Sequence, residues 1–343
     1  MTSLTATLRP AAAPPLPAPT RRTARDHAEP VLETNMALRA AAILAVVASH
    51  AQLADLQGGA YFLLALAGYN FRRFKLPAWL RDGSPWPATL RYHRKLLVPY
   101  GVAVLAYFAW KGVFEADVLL LYSNLLRTDG TAIFPIWFIQ VLFQCTLVLA
   151  ALFALAPLRA LAAARPFAFS LGFLAVSVAV AALSDALLDL HSLHRRTPLW
   201  MMALVALGWT CASVTREWQR LLVVGLVLVF ALTLLDGTAR LWVGLGLAAV
   251  TLRRGVQAPG WLVRPTETLA RSSYYVFLLH IAGFTILRGL GIEAPAALFA
   301  AGTALGLAGW WAFDRARLPA RAFARLRAAG PAALPSWRAG LVR

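Results

Sequence analysis

The sequence is poor in cysteine, in acidic residues and in charge overall. Its 343 residues include only two cysteines, Cys145 and Cys211, and both lie inside apolar runs. They are therefore interpreted as small buried hydrophobic residues and not as a disulfide or a metal pair. Charged residues make up 14% of the chain and hydrophobic residues 60%, whereas ordinary soluble domains carry roughly 25% charged residues. This composition excludes a soluble globular domain and favours an integral membrane protein.

Several catalytic signatures are also absent. The sequence contains no Gly-x-Ser-x-Gly elbow and no phosphate-binding loop of the Gly-x-x-x-x-Gly-Lys-Ser/Thr type. Ser49 is adjacent to His50 and cannot face it on a helix, which excludes a serine nucleophile at this point. Four potential metal ligands do cluster after the fifth apolar run, namely Asp185, Asp189, His191 and His194. Because Arg195 and Arg196 follow them directly, a solvated loop is favoured and no metal site is expected.

Acidic residues number 15 against 33 Lys and Arg, a formal net charge of +18. In a soluble protein this excess would suggest nucleic acid as a partner. In a membrane protein the position of each charge matters more, because loops on the cytoplasmic side retain Lys and Arg. We therefore expect membrane lipid as the partner, and no nucleic acid.

Ten apolar runs are separated by polar segments. They span residues 37–54, 58–72, 96–113, 131–156, 168–188, 199–214, 221–235, 240–252, 272–290 and 294–313. A helix that crosses a bilayer needs roughly 20 apolar residues, and the sixth, seventh and eighth runs are shorter. Arg216 and Arg240 can extend them by reaching the headgroups. The pattern predicts an all-α polytopic membrane protein, a bundle of about ten transmembrane helices, with eight or nine as the alternatives.

The basic residues fall in alternate segments. With the N-terminus in the cytoplasm, only six Lys or Arg lie in the outer loops: Lys111, Arg127, Arg195, Arg196, Arg240 and Arg288. This bias predicts that both termini are cytoplasmic. We expect a disordered Pro-rich tail at 1–35, a transmembrane domain at 36–313 and a basic tail at 314–343. The stretch from Arg315 to Arg327 fits a helix on the anionic leaflet or a plain stop-transfer tail.

Two ionisable residues, Arg39 and His50, lie within the first apolar run. Eleven residues amount to three helical turns plus about 20°, so both project from one face, about 16 Å apart along the axis. Such residues are costly in a bilayer unless they face the bundle interior or a hydrated cavity. The spacing predicts a shared polar cavity that runs inward from the cytoplasmic side. The alternative is that Arg39 reaches the interface and His50 caps the outer end of the helix.

Five segments resemble motifs of the membrane acyltransferase 3 family. Leu38 to His50 resembles its Arg-x10-His signature, and four later segments are similar to its other landmarks: Tyr61 to Tyr69, Arg91 to Tyr100, Ile136 to Gln140 and Ser273 to His280. The resemblance covers residues 34–313. The chain departs from the family pattern in the second segment, where Ala67 stands in place of Ser, two extra residues follow Tyr61-Phe62, and Gly58-Gly59-Ala60 replaces an acidic position.

The resemblance implies transfer of an acyl group, usually acetyl, from cytoplasmic acyl-CoA to a hydroxyl of an extracytoplasmic carbohydrate or glycolipid acceptor. His50 is then the candidate base, because its pKa suits proton transfer near neutrality. Arg39 would hold a phosphate or carbonyl of the donor. A basic loop could bind anionic coenzyme A, with Arg91, Arg94 and Lys95 on one helical face preferred, or could carry only the usual positive charge of a cytoplasmic loop: Arg72, Arg73, Lys75, Arg91, Arg94 and Lys95. Trp137, Tyr274 and His280 are candidate substrate-binding residues, although His280 also fits a polar contact between helices.

Two other function classes fit the same residues. A small transporter or flippase would also place Arg39 and His50 along its substrate path, although no internal repeat is visible in the sequence. A non-catalytic, acyltransferase-like scaffold is the third reading. About thirty residues follow the tenth run, so we expect no appended esterase-like domain, and transfer is direct or uses a separate partner. The bias toward Ala, Arg and Leu and the resemblance together predict a multi-pass protein of a bacterial cytoplasmic (inner) membrane.

Overall fold

The computed structural model describes residues 30–126, 136–188 and 196–315, and these residues are mostly helical. The first half contains β1 (Val31–Glu33), α1 (Thr34–His50), α2 (Gly59–Asn70), α3 (Leu76–Asp82), α4 (Trp86–Lys111), α5 (Ala116–Leu119), α6 (Ser123–Leu126) and α7 (Trp137–Ala154). The second half contains α8 (Ala156–Ala164), α9 (Pro166–Leu188), α10 (Pro198–Cys211), α11 (Glu217–Leu234), α12 (Ala239–Leu252), β2 (Gly255–Gln257), α13 (Gly260–Gly289) and α14 (Pro295–Trp310). Five-residue π-helical turns extend α2 (Phe71–Lys75) and α14 (Trp311–Arg315).

Four helical segments are long and apolar enough to cross a bilayer: Trp137–Ala154, Pro166–Leu187, Glu217–Leu234 and Pro295–Arg315. Shorter apolar helices lie at Thr34–His50, Pro198–Cys211 and Ala239–Leu252. Large apolar side chains such as Val176, Leu221 and Leu232 are more than half exposed on the outer faces of these helices. Apolar ridges of this kind need hydrocarbon around them. The chain is a helical membrane protein.

A helix overlaps each of the ten predicted apolar runs, but two of these helices begin well before the apolar part. Helix α4 begins at Trp86 and not at residue 96, and α13 begins at Gly260 and not at residue 272. Both early turns carry several basic residues, which a hydropathy pattern assigns to loops. They are nevertheless helical, because Lys and Arg are good helix formers. Of the fourth predicted run, residues 131–135 lie outside the described residues.

Two short strands depart from the predicted all-α fold. Val31–Glu33 pairs antiparallel with Gly255–Gln257, with Val31 opposite Gln257. The strand leads directly into α1, where the Thr34 N–H donates to the Arg254 carbonyl at 3.1 Å. The predicted disordered tail at 1–35 is therefore too long, since its last five residues belong to a strand and a helix. Residues 1–29 and 316–343, which include the rest of both predicted tails, lie outside the described residues.

Helix α10 forms the centre of the bundle. Every residue from Trp200 to Cys211 is buried, and the helix packs against α2 and α9. Glycines allow the crossing with α2, because a Cβ on Gly208 would lie 1.7 Å from the Ala65 carbonyl oxygen and one on Gly68 1.9 Å from that of Val205. Close contact of helix backbones through small residues is typical of membrane bundles. The crossing holds α2 between α10 and α1.

Helix α13 packs between α1 and α14. Gly306 of α14 lies so close to α13 that an added Cβ would be 2.3 Å from the Val276 Cα. Gly302, one turn earlier, lies against His280, with 3.1 Å from its Cβ position to the His280 Cβ. The small residues of α14 thus press α13 onto α1, the helix that carries Arg39 and His50.

Candidate functional site

The two ionisable residues of α1 each contact a polar residue of α13. The Arg39 Nε donates to Ser273 Oγ at 2.7 Å, and His50 Nδ1 lies 2.8 Å from His280 Nε2. The later residue of α1 contacts the later residue of α13, so the two helices run in the same direction. The predicted polar face of α1 therefore contacts α13 at two levels, one near each end of α1.

The hydrogen bonds around His280 determine the proton positions of the histidine pair. His280 Nδ1 lies 2.7 Å from the Phe277 carbonyl and 3.1 Å from that of Val276. Carbonyls only accept, so this nitrogen carries the hydrogen. His280 is fully buried, and a neutral ring leaves its Nε2 as an acceptor for the His50 Nδ1–H. The second nitrogen of His50, Nε2, then carries a lone pair, and it has no hydrogen-bond partner among the described residues.

His50 lines a cavity of about 530 Å³, here called the His50 cavity. Its other lining residues come from the end of α1 and the loop after it, the start of α2, α7, α10, α13 and the segment from the end of α11 to the start of α12, and include Ser49, Tyr61, Trp137, Trp200 and Asp236. Tyr61 lies between the two tryptophans, with ring centroids 6.0 Å from Trp137 and 6.1 Å from Trp200. Flat aromatic faces beside polar groups suit the alternating apolar and hydroxyl surfaces of a sugar ring.

Arg196 also lines the His50 cavity, with its guanidinium carbon 5.4 Å from the Trp137 ring centroid. Sequence reasoning assigned this residue to a solvated loop and did not propose it for the site. The sequence signal was its position three residues before the sixth predicted apolar run, at the same predicted outer end as His50. Trp137, a predicted substrate-binding residue, lies in this cavity, while Tyr274 does not.

Arg39 lines a second cavity of about 340 Å³, here called the Arg39 cavity. Ser273 and Tyr274 of α13, Tyr92 of α4 and Lys75 of the π-helical turn after α2 also line it. Tyr274 donates from its hydroxyl to the Leu96 carbonyl at 2.5 Å, which fixes the ring across the α4–α13 contact. Ala67, one of the departures from the family pattern, lines this cavity as well. Gly58, Gly59 and Ala60, which stand in place of the acidic position, line the His50 cavity instead.

Two asparagines that sequence reasoning did not single out contribute amides to the Arg39 cavity. Asn35 is 6% exposed, and its Oδ1 has no hydrogen-bond partner among the described residues. Its Nδ2 lies 3.5 Å from Asn70 Oδ1. A buried acceptor without a partner favours a ligand that can donate a hydrogen bond. The clue in the sequence was that Asn35 lies just before the first apolar run and Asn70 near the end of the second.

Among the predicted coenzyme A residues Arg72, Arg73, Arg91, Arg94 and Lys95, none lines the Arg39 cavity. The Arg73 guanidinium pairs with Glu33 on the rim of the Arg39 cavity at 3.1 Å, and Arg72 Nε donates to Ser213 Oγ at 3.2 Å. Arg91, Arg94 and Lys95 are exposed and do not line the cavity, although Tyr92 and Leu96 of the same helix do.

Lys75, which is part of the predicted basic loop, lines the Arg39 cavity and is partly exposed, so it lies near the mouth of the cavity. Its ammonium lies 5.0 Å from the Tyr92 ring centroid. Burial, and then the nearby charges of Lys95 and Arg91, lower the pKa of Lys75. The cations of α4 are therefore close enough to Lys75 to create one positive field at this mouth.

Arg39 and His50 do not share a cavity, which differs from the prediction of one polar passage. No described residue lines both cavities. Phe138 lines the Arg39 cavity and Phe277 the His50 cavity, and their ring centroids lie 4.6 Å apart. The two rings form part of a wall between the cavities. Periodicity places two residues on one face of a helix, but it carries no information on what other helices insert between them.

No group of three or more potential metal ligands occurs among residues 30–126, 136–188 and 196–315. Asp189, His191 and His194, which formed the sequence cluster with Asp185, lie outside this range. Cys145 and Cys211 are buried free thiols, as predicted.

Comparison with models of known protein families, with curated proteins and with solved structures finds no significant match to this chain.

Proposed function

We propose that the chain is an integral membrane O-acyltransferase that moves an acyl group, most simply acetyl, from acyl-CoA to an acceptor hydroxyl. In this proposal about ten helices cross the cytoplasmic membrane of a bacterium, with both termini inside. The Arg39 cavity faces the cytoplasm and the His50 cavity faces outward. The observation that carries the proposal is the His50–His280 pair, which leaves a lone pair on His50 Nε2 beside a cavity fit for a sugar.

The chemistry follows from that lone pair. A hydroxyl attacks a thioester carbonyl poorly until a base removes its proton. His50 Nε2 accepts this proton while the acceptor oxygen forms a bond to the acyl carbon. The carbon–sulfur bond then breaks, and the coenzyme A thiolate leaves and takes up the proton. His280 keeps the His50 ring in the tautomer and orientation that the reaction needs, as a positioning residue.

The Arg39 cavity has the properties expected of a donor site. Lys75, with Arg91 and Lys95 nearby, supplies positive charge at the mouth for the phosphates of coenzyme A. Farther in, the Arg39 guanidinium can hold a carbonyl or phosphate oxygen, since only its Nε is used by Ser273. The unpartnered Asn35 oxygen fits an amide N–H of the pantetheine arm. The acyl end must then pass the Phe138–Phe277 wall to reach His50.

The test is acyl release and transfer by the purified protein in lipid nanodiscs. Radiolabelled acetyl-CoA is added together with an extract of bacterial envelope glycans, and free thiol and labelled glycan are measured. We expect thiol release that depends on the extract, with label in the glycan. Absence of both, in protein that binds acetyl-CoA, would refute the proposal.

A transporter remains the second candidate function, and the wall between the cavities is the observation that favours it. Two cavities at opposite ends of one helix pair are also what alternating access needs. A transporter would move a labelled solute across a proteoliposome without cleaving acetyl-CoA, so the same preparation separates the two functions. A scaffold would bind partners and do neither.

A further inference from the structure

A groove between α1 and α12 continues from the His50 cavity along the outside of the bundle. It has a volume of about 450 Å³ and is lined by Leu38 and Leu56 on one side and by Leu241, Trp242, Leu245 and Ala249 of α12 on the other. Gly246 lies at its floor, where a Cβ would be 2.5 Å from the Phe62 ring. The volume falls within the range of about 300–1,000 Å³ that is typical of ligand sites.

The groove and the His50 cavity meet at the loop after α1. Leu56 lines both of them. Gln57 lines the cavity and Thr238 lines the groove, and the Thr238 hydroxyl donates to the Gln57 carbonyl at 2.7 Å. Gly58, with φ +99°, lets this loop lie on the start of α12, because an added Cβ would be 2.3 Å from the Ala239 Cα. The end of the groove is thus built into the rim of the cavity.

Polarity changes along the groove in one direction. Of the described residues that line the groove, Thr238 at the His50 end is the one with a side-chain hydroxyl, and the others are apolar apart from the indole N–H of Trp242. From Thr238 to Ala249 the groove follows α12 for eleven residues, about 16 Å along the axis. Leu241, Leu245 and Ala249 are spaced four residues apart on one face, and Leu241 and Leu245 are more than half exposed. An amphiphile with its polar end at His50 and its hydrocarbon along α12 matches this order.

We propose that the acceptor is a lipid-linked carbohydrate, whose sugar head binds in the His50 cavity and whose hydrocarbon tail lies in the groove between α1 and α12. This rests on the proposed acyl transfer, since it names the molecule that brings the hydroxyl to His50. The tail places the head at one depth in the membrane, so the hydroxyl reaches His50 Nε2 without a search in bulk water. Continuity through Leu56 favours the acceptor's own tail over an unrelated bilayer lipid.

The experiment follows a radiolabelled acetyl group in membranes from cells that produce the protein. Radiolabelled acetyl-CoA is added for a short pulse, and products are separated into solvent-extractable lipid and aqueous glycan. Four forms are compared: the unaltered protein, His50→Ala, Leu245→Trp and Leu232→Trp. Leu245 is 61% exposed and lines the groove, while Leu232 of α11 is 64% exposed and lies outside it. The same apolar enlargement is therefore made inside and outside the groove.

We expect label that depends on His50 to enter the solvent-extractable fraction first. Leu245→Trp should lower its initial rate about tenfold and Leu232→Trp less than twofold, because only the first fills space in the groove that the tail would occupy. Label dependent on His50 that appears first in aqueous glycan, or equal rates for the two Trp variants, would overturn the lipid-linked acceptor and leave acyl transfer intact. No label dependent on His50 in either fraction would overturn acyl transfer itself, and the acceptor assignment with it.

Discussion

The two cavities along α1 are built from the same pair of helices but carry different chemistry. At one end Arg39 contacts Ser273, and the surroundings are cationic and amide-rich. At the other end His50 contacts His280, and the surroundings are aromatic. A guanidinium keeps its charge and suits binding of an anion, whereas an imidazole can gain and lose a proton. In the proposed mechanism, α1 therefore separates the group that binds the donor from the group that activates the acceptor by three helical turns.

The sharpest test removes the imidazole at one end and leaves the other end untouched. His50→Ala should lower kcat for acyl transfer at least ~100-fold, because general base catalysis contributes about 10²–10⁴. Binding of acetyl-CoA, measured by equilibrium dialysis, should not change. Ser49→Ala is the matched control, since Ser49 lines the same cavity and its hydroxyl makes no hydrogen bond to either histidine. An active His50→Ala protein would assign the base to another group.

Replacing His280 tests whether the second histidine acts through the first. His280→Leu should lower kcat about 30-fold with an unchanged KM for acetyl-CoA, because the His50 Nδ1–H loses its acceptor and the ring its fixed orientation. His280→Gln should recover part of the rate, since its amide oxygen can accept the same hydrogen bond.

A purely structural role for His280 would give a different pattern. His280→Leu and His280→Gln would then lower thermal stability to the same extent, and the pH profile of kcat would keep its shape. A profile whose acidic limb moves only in His280→Leu distinguishes positioning from packing, since that limb reports the protonation of His50 as the general base.

Substitution of Arg39 should change the KM for acetyl-CoA and leave kcat nearly unchanged. Arg39→Lys keeps a positive charge but loses the planar fork and the Nε–H that binds Ser273. We expect KM for acetyl-CoA to rise about tenfold, with kcat changed less than threefold. Arg94→Lys is the control, because Arg94 is exposed and does not line the cavity. A loss confined to kcat would show that Arg39 serves the chemical step.

The smallest effect concerns the wall between the cavities. Phe138→Ala removes one of the two rings that separate them. We expect hydrolysis of acetyl-CoA without acceptor to rise about threefold, because water reaches the acyl group more easily. Phe143→Ala is the control, since Phe143 contacts His93 and lines neither cavity. Unchanged hydrolysis would mean that the two rings do not limit access.

The sequence predicts the helices well and the site in part. Apolar runs identify helices because a bilayer demands continuous hydrophobic segments, and an eleven-residue spacing puts Arg39 and His50 on one face. Neither rule predicts which helices pack against each other. The role of Lys75 at the cavity mouth, the Arg73–Glu33 pair and the Phe138–Phe277 wall depend on which helices become neighbours. Arg196 could not be predicted as a site residue for the same reason, because it joins the site through a contact with Trp137, which is distant in the sequence.

The strand pair also cannot be predicted from hydropathy. Val31–Glu33 and Gly255–Gln257 are three residues each, too short for a period-2 pattern to stand out. They form because residues on either side belong to α1 and α12, which already lie together in the bundle. The ordered start of the domain is therefore set by tertiary contact and not by local composition.

The contacts of α1 with α13 set a condition on how the protein is made. Ser273 lies 234 residues after Arg39 and His280 230 residues after His50, so the first helix leaves the ribosome long before either partner exists. An unmatched guanidinium in lipid is costly. The first helix can therefore make these two contacts only after α13 has been synthesised and inserted, so this part of the site is assembled late.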